Sequence, residues 1–395
     1  MHTVTEARAR LLVAVSPHRR RDSVSLDVAM GRVLADDVQA AFNVPPNDNS
    51  AMDGYVLRYA DFEATGGVLP VSARIQAGDA PDPLRPGTAA RIFTGAVVPE
   101  GGDTVVMQEK TAERDGRVRI DGNIAQGDNI RRAGEDLETG KTIIAAGRRL
   151  RPQELGLLAS TGIGQVEVFS RLQVALLSTG DELAAPGTAL APGQIYNSND
   201  AVLRGLLQSM GCDIVVCEHV ADTPQATRRA LMQAAGQADL VLTTGGVSVG
   251  EADYVKAAVE ELGRLDLWKI AVKPGKPLAF GRVSDTVFVG LPGNPVSAFV
   301  TFCLFAAPVI RKMQGRHDPF PAALEAPAGF SQPAAKREEY VRVRLEQGHL
   351  QRYPHQGSGV LSSVVWADGL ARIPADTAVA VGDPVGYFGF EALLA

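Results

Sequence analysis

The sequence predicts a multidomain α/β protein organised around a mainly parallel sheet, on three observations. The chain has 395 residues, room for about two to four domains at roughly 150 residues each. Apolar strand candidates alternate with helical stretches between about 171 and 318, the order that builds a parallel sheet covered by helices on both faces. On either side of that stretch, short alternating runs separated by Gly, Pro and Asp clusters read as further β structure.

Taken in order, residues 1–42 read as helical, because Val4–Val15 and Leu26–Leu34 carry apolar residues at helical spacing. From 43 to 132 the chain turns to short strands such as Arg91-Ile92-Phe93, Val105-Val106-Met107 and Arg117-Val118-Arg119-Ile120. Pro152 in the first turn and Gly162 beyond the end bracket another helix. The central strands are expected at Val174–Leu177, Ile214–Val216, Leu240–Thr243, near Leu267–Val272 and at Val287–Val289. Helices are expected between and after them at Ala201–Met210, Gln225–Ala235, Ala252–Leu262 and Val296–Ile310. After 319, Val341–Leu345, a Gln347-Gly348 turn and Leu350–Tyr353 form a hairpin pattern in a small β domain.

Composition excludes several functional classes. Lys and Arg number 39 against 45 Asp and Glu, a net charge of −6, so no general basic field serves nucleic acid or an anionic membrane. Cys212, Cys217 and Cys303 form no CxxC, and the six histidines are scattered, which argues against a disulfide framework or structural zinc. The apolar run Leu11–Val15 is too short for a signal peptide, and Val296–Ile310, expected to end around Pro308, falls short of a membrane span. A soluble, cytoplasmic protein is expected.

Four loops carry the chemistry. They are Ser178-Thr179-Gly180-Asp181-Glu182, the stretch from Thr244-Gly245-Gly246 to Asp253, Lys273-Pro274-Gly275-Lys276-Pro277, and Leu291-Pro292-Gly293-Asn294-Pro295. Each follows a central strand or lies between two, where an open parallel sheet binds ligands. Glycines there let backbone N–H groups face an anion, and helix N-termini favour it. Lysines beside Glu182 and Asp253 suit a phosphate ligand carrying Mg²⁺, which keeps one or two protein carboxylates plus phosphate oxygens. A single such loop is an ordinary turn with a capped helix; four on one sheet edge point to a shared anionic site. A competing reading takes Gly246-x-Ser248-x-Gly250 as a serine-hydrolase elbow. Thr244-Gly245-Gly246 loosen that turn, and the downstream histidines lie in turns or β structure. A second polar cluster, Pro45 to Tyr55, recurs with Thr94-Gly95, Gln108-Glu109-Lys110, Arg131-Arg132 and Glu135-Asp136, and spacing alone does not bring it to the sheet edge.

In this order, Asp48-Asn49-Ser50-Ala51-Met52-Asp53-Gly54-Tyr55, Thr94-Gly95-Ala96, Gly134-Glu135-Asp136, Thr179-Gly180-Asp181-Glu182-Leu183, Gly245 to Tyr254, Lys273 to Pro277 and Leu291 to Pro295 resemble the MoeA family of molybdopterin molybdenumtransferases. Plant and gephyrin E domains are relatives. The resemblance spans nearly the whole chain. It implies a helical linker domain from 1–42 and 133–170, an inserted β domain at 43–132, a MogA-like α/β domain at 171–318, and a C-terminal β-barrel-like domain at 319–395.

It further implies a transferase that places molybdenum from molybdate into adenylylated molybdopterin, with Mg²⁺-dependent release of AMP. Glu182, Asp222 and Asp253 would serve the nucleotide side, with Glu182 and Asp253 on the metal. Asp53, Thr94 and Asp136 would complete the catalytic set, approaching with Arg131 from the other subunit of a homodimer. Gly245, Gly246, Ser248, Lys269, Lys273, Lys276, Pro292 and Pro295 would hold molybdopterin and its phosphate; Lys276, Pro277, Arg337 and Ser362 would hold molybdate. A MogA-type adenylyltransferase and molybdoenzyme-maturation proteins are the implied partners. Asn47 and Asn197 depart from the family pattern, where an aromatic and an acidic residue are expected. A non-catalytic, gephyrin-like scaffold is the third reading.

Overall fold

The computed structural model describes residues 2–246 and 254–394. Its centre is a six-stranded sheet in the order Asp213–Val220, Gln173–Thr179, Leu240–Thr244, Thr286–Leu291, Pro277–Val283, Gly263–Lys269. The first four strands are parallel; Pro277–Val283 runs against them, and Gly263–Lys269 pairs antiparallel with it at the edge. Gln173–Thr179 is buried along almost its whole length, as a strand covered on both faces must be. Its alternate side chains feed two cores: Val174 and Leu176 join Leu203, Leu207 and Val300 on one face, while Ala175 and Leu177 join Leu231, Val255 and Val259 on the other.

Two expectations for this domain are corrected. The strand expected near Leu267–Val272 is Gly263–Lys269, and Pro277–Val283 is an unforeseen strand paired with it. The Lys273–Lys276 loop therefore joins two antiparallel strands. The helix expected at Val296–Ile310 runs from Pro295 to Met313, past the Pro308 at which the apolar stretch was expected to end, through a π segment at Phe302–Ala306. That wider turn lies just before the proline, which has no N–H to donate. Pro295–Met313 has the length and hydropathy of a membrane span, yet 94% of its apolar window is buried inside the protein, and its Arg311 donates to the Leu393 carbonyl at 2.6 Å.

The segment expected to be helical at 1–42 is mostly not. Val4–Ala14 is a helix with a Thr3–Glu6 capping box, but its Val4, Ala7 and Leu11 pack into the α/β core. Arg21–Ser25 is a strand antiparallel to Gln165–Phe169, and Val38–Gln39 pairs with Thr142–Ile144. Of Leu26–Leu34 only Leu26–Val28 forms a 3₁₀ turn. Gly31, at φ +75°, then turns the chain so that its N–H reaches the Leu150 carbonyl at 2.9 Å. The linker is a mixed body around Leu34, Ile144, Leu150, Leu158 and Val168.

Its helix Pro152–Ser160 starts on a proline. Hydrogen bonds from Arg151 and Arg148 pull the Glu154 carboxyl down to about 2. A depressed carboxyl adds stability that is present above its unfolded pKa and is lost as pH falls toward 2. Glu154→Gln should therefore cost about 2 kcal/mol at neutral pH. Thermal melts across pH should show the two curves converging at the acid end; parallel curves would refute the assignment.

The inserted domain is a six-stranded sheet in the order Thr104–Met107, Gly54–Leu57, Ala89–Ile92, Val68–Ile75, Arg117–Ile120, Thr111–Arg114. In the C-terminal domain, Glu338–Glu346 and His349–Arg352 form the expected hairpin, with Gln347 and Gly348 at φ 48° and 80° as a type I′ turn requires. Leu324–Pro327, Pro384–Gly389, Gly369–Ile373 and this hairpin pair in succession, and Ala328 bridges back to Leu350, which closes a small barrel. Val272–Lys273 of the α/β domain adds a parallel strand to it, opposite Glu338 and Glu339.

Candidate active site

A cleft of about 720 Å³ opens at the carboxyl ends of the parallel strands. The strand Gln173–Thr179 delivers Gly180 and Glu182, Leu240–Thr244 delivers Gly245 and Gly246, and Thr286–Leu291 delivers Pro292 and Pro295. Asp222, Lys273, Lys276, Pro277 and Arg337 also line it. Ten of the residues expected from sequence thus share one cavity, and the expectation that four loops meet there holds.

The glycines are needed for close approach. Gly245 sits at φ +86°, where an added Cβ would stand 2.6 Å from the Thr179 carbonyl oxygen, and Gly293 lies 3.8 Å from the Gly245 Cα by the same measure. Asn199 ties the loops together, donating to the Thr244 hydroxyl at 2.9 Å and the Gly293 carbonyl at 2.7 Å. It stands beside Asn197, whose side chain caps the helix Ser198–Ser209. Thr179, Thr244 and Asn294 of the named loops line the cleft without having been given a role, and Asn199, Ser297 and Gln356 line it without having been singled out. The Asn294-Pro295 helix start was the available signal for Asn294.

The cations divide unequally. Lys273 Nζ lies 2.8 Å from Glu339 Oε1, whose other oxygen accepts from Gln332 at 2.6 Å. Lys276 is exposed and has no ion pair among the described residues. Arg337 donates to the Val272 carbonyl at 3.3 Å. Lys269 is not a wall residue: it lies on the edge strand, opposite Pro277. Ser362 is also misplaced, being exposed at a helix start with its hydroxyl 3.3 Å from that of Tyr353. Ser358, from the same C-terminal segment, does line the cleft, and its carbonyl accepts from the Val296 N–H at 3.0 Å. The buried Arg342 guanidinium holds this wall in place, donating to the Gly357 carbonyl and the Ser363 hydroxyl, each at 3.1 Å.

Glu182 and Asp222 also line the cleft. Burial, then the neighbouring Asp181 and Glu182, pushes the Asp222 carboxyl up. Among the described residues no three His, Cys, Asp or Glu side chains converge as a metal cage. This donor set fits Mg²⁺, which takes one or two carboxylates and completes its shell with phosphate and water. A raised carboxyl destabilises the fold above its pKa, so Asp222→Asn should raise the melting temperature at neutral pH. Mg²⁺ should stabilise the wild type more than this variant; equal Mg²⁺ shifts would remove Asp222 from the metal site. Ser248 and Asp253 lie outside the described residues. Among the described residues no histidine lines the cleft.

Of the second cluster, Asp53 and Thr94 meet on the inserted domain. Asp53 Oδ1 accepts from the Thr94 N–H at 2.8 Å and the Thr94 hydroxyl at 2.7 Å, and these bonds hold its carboxyl below the ordinary range. Arg131 pairs with Asn49, and the Asp136 N–H reaches the Val44 carbonyl at 3.0 Å. None of these four residues lines the cleft of its own chain.

Comparison with known proteins agrees with this architecture. Residues 2–162 match the MoeA N-terminal region (domain I and II), 175–312 a probable molybdopterin binding domain, and 325–388 the MoeA C-terminal region (domain IV). A molybdopterin molybdenumtransferase of Haemophilus influenzae is 42% identical over 379 residues, 92% of each chain. Molybdopterin molybdenumtransferase 2 of Mycobacterium tuberculosis is 38% identical over 369 residues, 90% of this chain and 91% of that one. The crystal structure of the molybdopterin biosynthesis MoeA protein of Pyrococcus horikoshii superposes with a TM-score of 0.85 at 28% identity, over 98% of this chain and 99% of that one. With its cleft, its barrel and its inserted sheet all accounted for, this chain belongs to the MoeA family of molybdopterin molybdenumtransferases, enzymes of molybdenum cofactor biosynthesis.

Proposed function

We propose that this transferase inserts molybdenum from molybdate into adenylylated molybdopterin, releasing AMP in a Mg²⁺-dependent step. The observation that carries the reading is the meeting of Lys276, Arg337 and Ser358 with Glu182 and Asp222 in one cleft walled by glycine loops. Two oxyanions, a phosphoanhydride and MoO₄²⁻, repel each other; fixed cations and backbone dipoles let them approach. Gly245 and Gly246 admit the phosphates close to the backbone, and the Pro295 helix start faces them. Lys276, Pro277, Arg337 and Ser358 form the molybdate pocket. Glu182 and Asp222, with Asp253, would hold Mg²⁺, which supplies charge neutralisation to the phosphoanhydride. In this reading Asp53, Thr94, Arg131 and Asp136 serve the cleft of a second copy in a cytoplasmic homodimer, which receives substrate from a MogA-type adenylyltransferase and passes product to molybdoenzyme-maturation proteins.

The test is chromatographic detection of AMP from adenylylated molybdopterin, with Mg²⁺ and molybdate each omitted in turn. Release should require Mg²⁺ and rise with molybdate. Substrate left intact under all conditions would overturn the reading.

A further inference from the structure

A separate cavity of about 190 Å³ lies at the seam between the linker and the α/β domain. Its walls are the Met30–Val33 turn, Arg149, the Ser170–Arg171 connection and the end of the helix Ser198–Ser209. It shares no wall residue with the cleft. Arg32, Arg149 and Arg171 face it, and no Asp or Glu does.

The three arginines differ in what they have left to bind. Arg32 is occupied by Asp22 and by the Phe169 carbonyl at 2.9 Å. Arg149 is half-buried and makes no side-chain hydrogen bond or ion pair with a described residue. Its guanidinium lies across Gly31, where an added Cβ would stand 3.6 Å from it. Arg171 is exposed and likewise has no ion pair among the described residues. Burial, then the neighbouring Arg316, weakens the hold of Arg149 on its proton.

Capping of the nearby helix end does not account for these side chains. The carbonyls of Leu206, Leu207 and Gln208 already accept from backbone N–H groups, and that of Met210 from the Gln314 amide at 2.7 Å. The cavity has the volume of roughly six waters at about 30 Å³ each, enough for a tetrahedral oxyanion and a few of them.

We propose that this seam is a second oxyanion site, with Arg149 and Arg171 as its jaws, taking a phosphate-class dianion either free or as a phosphate ester. Guanidinium forks match tetrahedral oxyanions with paired N–H bonds. A bound dianion would join the linker strand region to the entry of the central sheet, fixing the angle between the domains.

The test is equilibrium dialysis of radiolabelled inorganic phosphate against the full chain, with melting curves to confirm folding. Lys276→Ala, which removes the exposed cleft lysine that has no ion pair among the described residues, should leave one phosphate per chain bound at the seam. Adding Arg149→Gln or Arg171→Gln to it should weaken that phosphate about tenfold or more, and Arg149→Lys should lose less than Arg149→Gln. Displacement by AMP at lower concentration than by molybdate assigns the site to phosphate esters; the opposite order assigns it to free oxyanions. Phosphate binding unchanged in the arginine variants, or none in Lys276→Ala alone, overturns the proposal.

Discussion

Replacing Lys276 by Ala should slow molybdenum insertion by about 10²–10³-fold while moving the melting temperature by no more than about 2 °C. Lys276 is exposed in the cleft and has no ion pair among the described residues, so its charge is available to an incoming anion and the fold does not depend on it. Lys273 shares its charge with Glu339 at 2.8 Å, so Lys273→Ala should slow turnover less and disturb the barrel more. Steady-state rates with molybdate varied would separate the two, and a Lys276→Ala rate within about threefold of wild type would remove this residue from the anion pocket. The same variant tests the shared-cleft arrangement. If the proposed dimer forms, Lys276→Ala and Asp53→Asn should each be slow alone, and a mixture allowed to exchange subunits should recover activity, since one cleft of each mixed dimer would then be intact; no recovery on exchange would refute the shared cleft.

Gly275→Ala should have the largest effect on folding, about 2–5 kcal/mol of destabilisation. Gly275 sits at φ +110°, and an added Cβ would stand 2.3 Å from the Thr301 methyl. Thr301 is fully buried on the core helix, with its hydroxyl bonded to the Ser297 carbonyl at 2.6 Å. Neither side can yield cheaply: the backbone conformation suits only glycine, and the threonine belongs to a packed core. Molecules that still fold would carry Lys273 and Lys276 on a displaced loop, so activity should fall further than the folded fraction. Thr301→Ser keeps the hydroxyl and deletes the methyl, so the double variant should regain the packing part of the loss and keep the backbone part. Denaturant melts of the four proteins give both numbers, and a Gly275→Ala midpoint equal to wild type would refute the clash.

The sequence was most informative where one physical constraint dominates. Gln173–Thr179 and Leu240–Thr244 are buried on both faces, so they read as short apolar runs, and the glycine loops after them announce ligand approach. Legibility failed where long-range pairing decides. Leu26–Leu34 has helical spacing, but contacts of Gly31 and Val33 with Leu150 and Arg149, more than a hundred residues away, extend it. Pro277–Val283 follows a Lys-Pro-Gly-Lys turn and contains Gly281, where an added Cβ would stand 2.1 Å from the Arg264 carbonyl oxygen; only the paired strand explains that glycine. The alternation Val341-Arg342-Val343-Arg344 suggests outward arginines, yet Arg342 is 1% exposed because the 356–363 segment covers it. That same covering presents Ser358 to the cleft in place of Ser362, an exchange that spacing cannot foresee.

The pairing of Val272–Lys273 with Glu338–Glu339 means that the Lys273–Lys276 loop is spliced into two β systems at once. The C-terminal barrel is thus no detachable appendage: levering it away would unzip a ladder, break the Lys273–Glu339 contact and drag the lysine loop with it. Grafting another relative's tail onto this chain would need to carry the 270–276 loop along, or the transplanted barrel would arrive without its first strand.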